Sequence, residues 1–175
     1  REIGIELSRL LIVAGSQEEA FAPLIQTGPN SALPHGFITD RILGADEFLL
    51  IDFGGKSEGY PADITRTFCL GTPSDEMVKI YNAVLAGNQA GIAAAGPGVA
   101  CGDVDKATRD VITAAGYGEY FIHRTGHGLG LEGHELPQVA SGVKEVLQPG
   151  MVFTVEPGIY VPGLGGVRIE DNITI

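Results

Sequence analysis

The sequence predicts an α+β fold of two similar halves, in which helical segments lead into acid-bearing antiparallel hairpins. Two stretches carry that prediction. Residues 48–70 and 151–175 share one form: apolar strand, acidic residue, glycine-rich turn, return strand, second acidic residue. Three other segments space their apolar residues as helices do, and helices precede each hairpin. At 175 residues the chain is one domain long, enough to bury a sizeable core.

From the N-terminus, Ile3, Leu7, Leu10 and Leu11 keep helical spacing, and Gly15 closes that helix. Phe48-Leu49-Leu50-Ile51-Asp52 reads as a buried strand, Gly54-Gly55 as the turn region and 62–70 as the return. Thr72, Pro73 and Asp75 then make a helix start: a hydroxyl N-cap, a proline at the first position and an acid in the first turn. Met77, Tyr81, Val84, Leu85 and Ile92 form its apolar face, and Gly96-Pro97-Gly98 ends it. A third helix over 103–115 turns Val104, Ala107, Val111 and Ala115 to the core, with Gly116 as the stop. The second hairpin runs from Met151 to Glu156, through a loop of glycine and proline, and back over 166–175.

Composition narrows the partners. Hydrophobic residues make up 44% and charged residues 19%, which is globular rather than disordered. The net charge of −11 excludes nucleic acid and anionic membrane surfaces as partners. No apolar run reaches the roughly 20 residues that span a bilayer. Cys69 and Cys101 lack metal spacing and read as small hydrophobes in a reducing, cytoplasmic compartment. Arg1 falls inside a helical pattern and Ile175 inside a strand, so the chain is expected to be one domain, 1–175, of a longer protein.

The chemistry gathers on the hairpins. Asp52 and Glu156 follow deeply apolar strands, and Asp63 and Glu170 fall on the return segments, placed across from them. Adjacent strands lie about 4.8 Å apart, so carboxylates on one face of such a hairpin converge. Unpaired, each buried charge would cost several kcal/mol or take up a proton. Arg66 and Arg168 are the nearby cations, and two arginines cannot neutralise four carboxylates. Shared protons in a general acid/base pair are one compensation, and divalent cations are the one favoured by four acids on matched hairpins. The chain has only four histidines, and His123, His127 and His134 fall within twelve residues. Glycines on both sides of His127 permit close backbone approach, which marks it as the best ligand; His123 and His134 read as neighbours that handle protons or substrate.

Four motifs in order, Asp52-Phe-Gly with Asp63-Ile-Thr-Arg-Thr, Thr125-Gly-His127-Gly-Leu-Gly, Glu156-Pro-Gly, and Arg168-Ile-Glu170-Asp, resemble the pita-bread metallopeptidases. The spacings agree, eleven residues from Asp52 to Asp63 and fourteen from Glu156 to Glu170. The resemblance implies two pseudo-symmetric halves with a curved antiparallel sheet flanked by helices, and a catalytic metallopeptidase domain over 1–175. It implies two divalent ions, with manganese expected and cobalt, zinc or iron admitted by the same donors. Asp52 would bind one ion, Asp63 and Glu170 would bridge the pair, and His127 and Glu156 would complete the second. Glu156 doubles as proton shuttle, His123 and His134 steady the substrate carbonyl and the oxyanion, His35 lines the substrate pocket, and Arg168 orients carboxylates and substrate.

Pro157-Gly158-Ile159-Tyr160, Gly166 to Asp171 and His134-Glu135-Leu136-Pro137 resemble the proline-specific branch, aminopeptidase P and prolidase. Substrates would be peptides with proline in second position, in a protein whose full length adds an N-terminal domain and forms a homodimer. Some prolidases hold an arginine just after His-Glu-x-Pro to grip a dipeptide's carboxylate; Gln138 in that place favours an Xaa-Pro aminopeptidase over the dipeptidase. Histone- or peptide-binding relatives without activity form a third reading, and they lose metal ligands that this chain keeps.

Overall fold

The structure, a computed structural model, describes residues 1–37 and 39–175. Helix α1 (Glu2–Val13) carries Glu2 in its first turn and ends at Ala14, after which Gly15 turns the chain with a left-handed φ of 104°. The expected apolar face of α1 is only partly covered: Ile3, Leu7 and Leu11 are half-buried, whereas Leu10 is exposed.

The first half contains β1 (Glu18–Glu19), β2 (Leu24–Thr27), β3 (Phe48–Phe53), β4 (Gly55–Ser57), β5 (Tyr60–Pro61) and β6 (Ile64–Cys69). Strands β2, β3 and β6 form one antiparallel sheet in that order, and β4 and β5 extend the hairpin beyond it, with β1 on their edge. The second half begins with α2 (Asp75–Ala94) and α3 (Cys101–Ala114). It continues through β7 (Gly126–Gly128), β8 (Glu135–Val139), β9 (Val152–Val155), β10 (Gly158–Val161), β11 (Gly165–Arg168) and β12 (Asp171–Thr174). Its sheet runs β12-β9-β7-β8, and β10 pairs with β11.

The order β2-β3-β6 in one half matches β7-β9-β12 in the other, and each inner pair continues into a hairpin extension. The two-halves expectation holds at the level of strand order. The halves join along β6: Thr67 Oγ1 donates to Arg168 O at 3.0 Å, and Glu170 N donates to Thr65 O at 3.1 Å. Two apolar clusters lie beneath the sheets. Phe48, Ile80, Val84, Ile112, Ile159 and Val167 fill one, and Val104, Val139, Leu147, Phe153 and Val155 the other.

Two local expectations are corrected. The N-cap of α2 is Ser74, whose side chain accepts from Met77 N at 3.3 Å, because Thr72 and Pro73 still belong to the turn before the helix. The buried stripe of α3 is Cys101, Val104, Asp105, Thr108 and Ile112, so Ala115 is exposed and a carboxylate takes a core position. Both cysteines are free. No helix among the described residues is long and apolar enough to cross a membrane.

Candidate metal centre

The two halves deliver their acids to one place, by different routes. Asp52 lies near the end of β3, where its register partner is Thr65 rather than Asp63. The ladder stops at Phe53 and Ile64, since the intervening chain is diverted into β4 and β5; Asp63 therefore sits one residue ahead of β6. In the second half Val155 pairs with Asp171, which leaves Glu156 and Glu170 side by side just beyond that pair. Asp63 is clamped from the other half: its N–H donates to Asn172 Oδ1 at 3.1 Å, and the Asn172 amide donates back to Asp63 O.

His127 arrives on β7, whose flanking glycines serve close approach. A Cβ at Gly126 would lie 1.8 Å from Thr154 O, and one at Gly128 would lie 2.1 Å from Leu136 O. The His127 N–H donates to Thr154 Oγ1 at 3.1 Å, and Nδ1 lies 3.1 Å from Gly128 O. A carbonyl can only accept, so Nδ1 carries the proton and Nε2 turns its lone pair inward. There Nε2 meets Glu156 Oε1 at 3.3 Å and Asp63 Oδ2 at 3.7 Å. Burial lowers the His127 pKa to about 4, which keeps it neutral. Asp63, His127 and Glu170 are all buried and offer ligand atoms within 4.8 Å of one another.

This crowding makes ionisation costly. Burial, then the charges of Asp52 and Glu156, push Asp63 up to about 8. Burial raises Glu156 to about 7 against the opposing pull of Arg168, and burial with three neighbouring carboxylates holds Glu170 well above the usual range. Of the two arginines near the acids, only Arg168 enters the cluster, with Nη2 at 2.5 Å from Asp52 Oδ2; Arg66 pairs with Asp171 instead. The other oxygen, Asp52 Oδ1, is buried without any hydrogen-bond partner. Four carboxylates, one neutral imidazole lone pair, one arginine and an orphaned buried oxygen fit divalent cations, which would supply the missing positive charge.

Arg168 is also a hub. Its Nη1 donates to Tyr160 Oη at 2.9 Å and to Pro34 O at 3.1 Å, and its Nε donates to Thr65 Oγ1 at 3.1 Å. Thr65 Oγ1 in turn donates to Glu170 Oε2 at 2.6 Å. Tyr160, its pKa pushed up to about 12 by burial, keeps its proton and donates to His123 Nε2 at 2.9 Å. His123 Nδ1 donates to Arg124 O at 2.7 Å, and burial lowers its pKa to about 4. Both ring nitrogens of His123 are therefore engaged within the protein. His134 is exposed and stacks on His127 with ring centroids 4.0 Å apart. Pro34, His35, His123, Arg124, His134, Glu156 and Arg168 line a cleft of about 360 Å³ leading to the acids.

Sequence reasoning missed the supports. Asp105 is 1% exposed; it accepts from Thr125 N–H at 3.2 Å and Thr125 Oγ1 at 2.8 Å, and pairs with Arg109. Arg109 also donates to Phe121 O and His123 O, so α3 holds the whole 121–125 turn that leads to His127. Asn88 on α2 donates to Val155 O at 3.0 Å beneath Glu156. Asp105 and Arg109 stand four apart, but that spacing reads equally as a surface pair.

Metallopeptidase family M24 matches residues 1–175. The chain belongs to that family. It is 42% identical over 175 residues to the Xaa-Pro dipeptidase of Pyrococcus furiosus, covering 100% of this chain and 50% of the relative. Among solved structures it resembles the prolidase from Pyrococcus furiosus, with a TM-score of 0.97 and 42% identity over 100% of this chain and 52% of that one. The X-Pro aminopeptidase from Thermotoga maritima gives 0.96 and 39%, covering 99% and 49%. This M24 chain thus has the pita-bread fold, and it spans about half the length of the relatives it matches. Within this family of metallopeptidases, the relatives and structures it matches belong to the proline-specific branch.

Proposed function

We propose that the protein is a metal-dependent Xaa-Pro dipeptidase that uses two divalent ions. The grouping of Asp63, His127 and Glu170, with Glu156 beside His127 and on the cleft wall and Asp52 held by Arg168, carries this reading. It replaces the aminopeptidase expectation drawn from Gln138, since relatives named Xaa-Pro dipeptidase support the alternative better. Those five residues would hold the ions, with manganese expected. Bound there, such ions supply Lewis acidity and a water acidic enough to act at neutral pH.

The rest falls to the chain itself. The cleft of about 360 Å³ suits a dipeptide-sized ligand. Glu156 belongs both to the acid cluster and to the cleft lining, which supports a role in which its carboxyl would carry a proton from water to the proline nitrogen. Thr154 Oγ1 donates to Glu156 Oε1 at 3.1 Å and orients that carboxyl. The chain from Arg168 through Tyr160 fixes the neutral His123 in the cleft wall, while His134 and His35 face the incoming peptide.

The test is hydrolysis of Gly-Pro and of a longer Xaa-Pro peptide by the intact protein, after chelation and after manganese is restored, beside Asp63→Ala. The expected result is manganese-dependent cleavage of Gly-Pro that Asp63→Ala abolishes. Cleavage of the longer peptide alone would make it an aminopeptidase, and undiminished activity in Asp63→Ala would remove the metal account.

A further inference from the structure

Helix α2 carries one amide in its buried stripe. Met77, Ile80, Ala83, Val84, Gly87 and Gly91 make the stripe apolar, and Asn88, 3% exposed, interrupts it. A buried amide without partners is costly, so its contacts show what it is there to hold. Its Nδ2 lies 3.0 Å from Val155 O, 3.4 Å from Ile169 O and 3.2 Å from Asp171 Oδ2. All three are acceptors, and the amide has two hydrogens to divide among them.

Two of these acceptors belong to the peptide bonds that lead into the glutamates of the cluster. Val155 O shares a peptide plane with Glu156 N, and Ile169 O shares one with Glu170 N. The opposite edge of each plane is held as well. Glu156 N–H donates to Thr125 O at 2.8 Å, and Glu170 N–H donates to Thr65 O at 3.1 Å. Thr125 and Thr65 belong to different halves, whereas Asn88 is common to both planes. The strand pairing leaves room for it: Ile169 N–H donates to Pro157 O at 3.3 Å, and Pro157, lacking an N–H, returns nothing to Ile169 O. Among the described residues no other side chain donates to either carbonyl. The third contact reaches the far side of Glu170. Asp171 Oδ1 accepts from Arg66 Nη2 at 2.6 Å, and Arg66 Nη1 donates to Glu170 O at 2.5 Å.

Resting on the two-ion reading, we infer that Asn88 is a positioning residue whose single amide fixes Glu156 against Glu170 and thereby sets the affinity for one ion of the pair. It meets neither ion nor substrate and acts through the two peptide planes. The acids assigned to the first ion have other anchors, Arg168 on Asp52 and Asn172 on Asp63. The ion assigned to His127 and Glu156 therefore depends on Asn88 more than its neighbour does.

The experiment titrates manganese into the intact, metal-free protein by calorimetry, with equilibrium dialysis to count bound ions. Wild type is compared with Asn88→Leu, Asn88→Asp and Val84→Ala. Leucine keeps the branched outline of asparagine without a donor, and aspartate keeps the shape with at most one O–H to give. Val84, fully buried one turn earlier on α2, is the control for lost core packing. Asn88→Leu should weaken one of the two binding steps about 10- to 100-fold and the other less than about 3-fold, with Asn88→Asp between wild type and leucine. Val84→Ala should lower Tm and leave both steps unchanged. If Asn88→Leu fails to fold, Asn88→Asp decides by the same split. Unchanged binding in the Asn88 variants, an equal loss at both steps, or a matching loss in Val84→Ala would each overturn the inference. Wild-type protein that binds fewer than two ions would instead remove the two-ion reading, and this inference with it.

Discussion

Stripped of metal, the protein should lose stability as pH rises from about 6.5 to about 8, opposite to the trend set by most salt-bridged carboxylates. Asp63 drives this. Its pKa lies at about 8 in the fold against 3.8 for the free side chain, so across that interval the folded state holds a proton that the unfolded state has released. Stability from a raised group is complete at low pH and is lost as pH climbs through the folded value, at about 1.4 kcal/mol per pH unit. Glu156 and Glu170 are shifted upward as well and act in the same sense. His123 and His127, lowered to about 4, work the other way, but only below about 6.5, where the unfolded chain takes up their protons. From pH 6.5 to 8 Asp63 alone then removes about 2 kcal/mol, or roughly 4–8 °C in Tm for a chain of this size. Calorimetry in chelator at several pH values would measure it, with Asp63→Asn as the control that should flatten the slope. Saturating manganese should abolish or reverse the trend, because ions bind the ionised carboxylates. A metal-free Tm that is flat or rising across this window, or a slope equally steep in Asp63→Asn, would refute the electrostatic account of the site.

Three other substitutions probe the supports. Asp105→Ala leaves Arg109 and the Thr125 N–H without their buried acceptor, and thermal melts should show a loss of about 3–5 kcal/mol. Gly126→Ala would press a Cβ to 1.8 Å from Thr154 O and part β7 from β9, at a cost of roughly 3 kcal/mol in denaturant titration. Thr154→Val keeps the shape but removes the hydroxyl that accepts from His127 N–H and donates to Glu156; calorimetric titration should show manganese affinity falling about 10- to 100-fold.

How much of this was legible in advance varied with the range of the interaction. The acid-bearing hairpins could be read because strand, turn and return are local, and the glycines beside His127 because a tight approach demands them. Register could not be read. The sequence pattern sets Asp63 across from Asp52, but the ladder sets Thr65 there, since the diversion into β4 and β5 depends on how much chain the extension takes up. The buried face of α3 differs from the apolar one for a similar reason: hydropathy alone does not place a carboxylate inward, and Asp105 goes there because Thr125 and Arg109 satisfy it. The cap of α2 missed by two residues, as Thr72 and Ser74 offer the same hydroxyl.

The sequence by itself determined which side chains could make a cation site, because buried carboxylates that outnumber nearby arginines demand positive charge. It also determined the family, through four motifs in order. Only the tertiary structure decided how those groups face one another. Thr65 meets Glu170, Arg168 meets Asp52, and Asn172 meets Asp63 across separations of more than a hundred residues. It also decided that His123 is tied at both nitrogens while one amide, Asn88, reaches the carbonyls before Glu156 and Glu170. Spacing along a chain governs the local path of the backbone; the direction of a side chain toward a distant partner is settled when the two sheets close along β6.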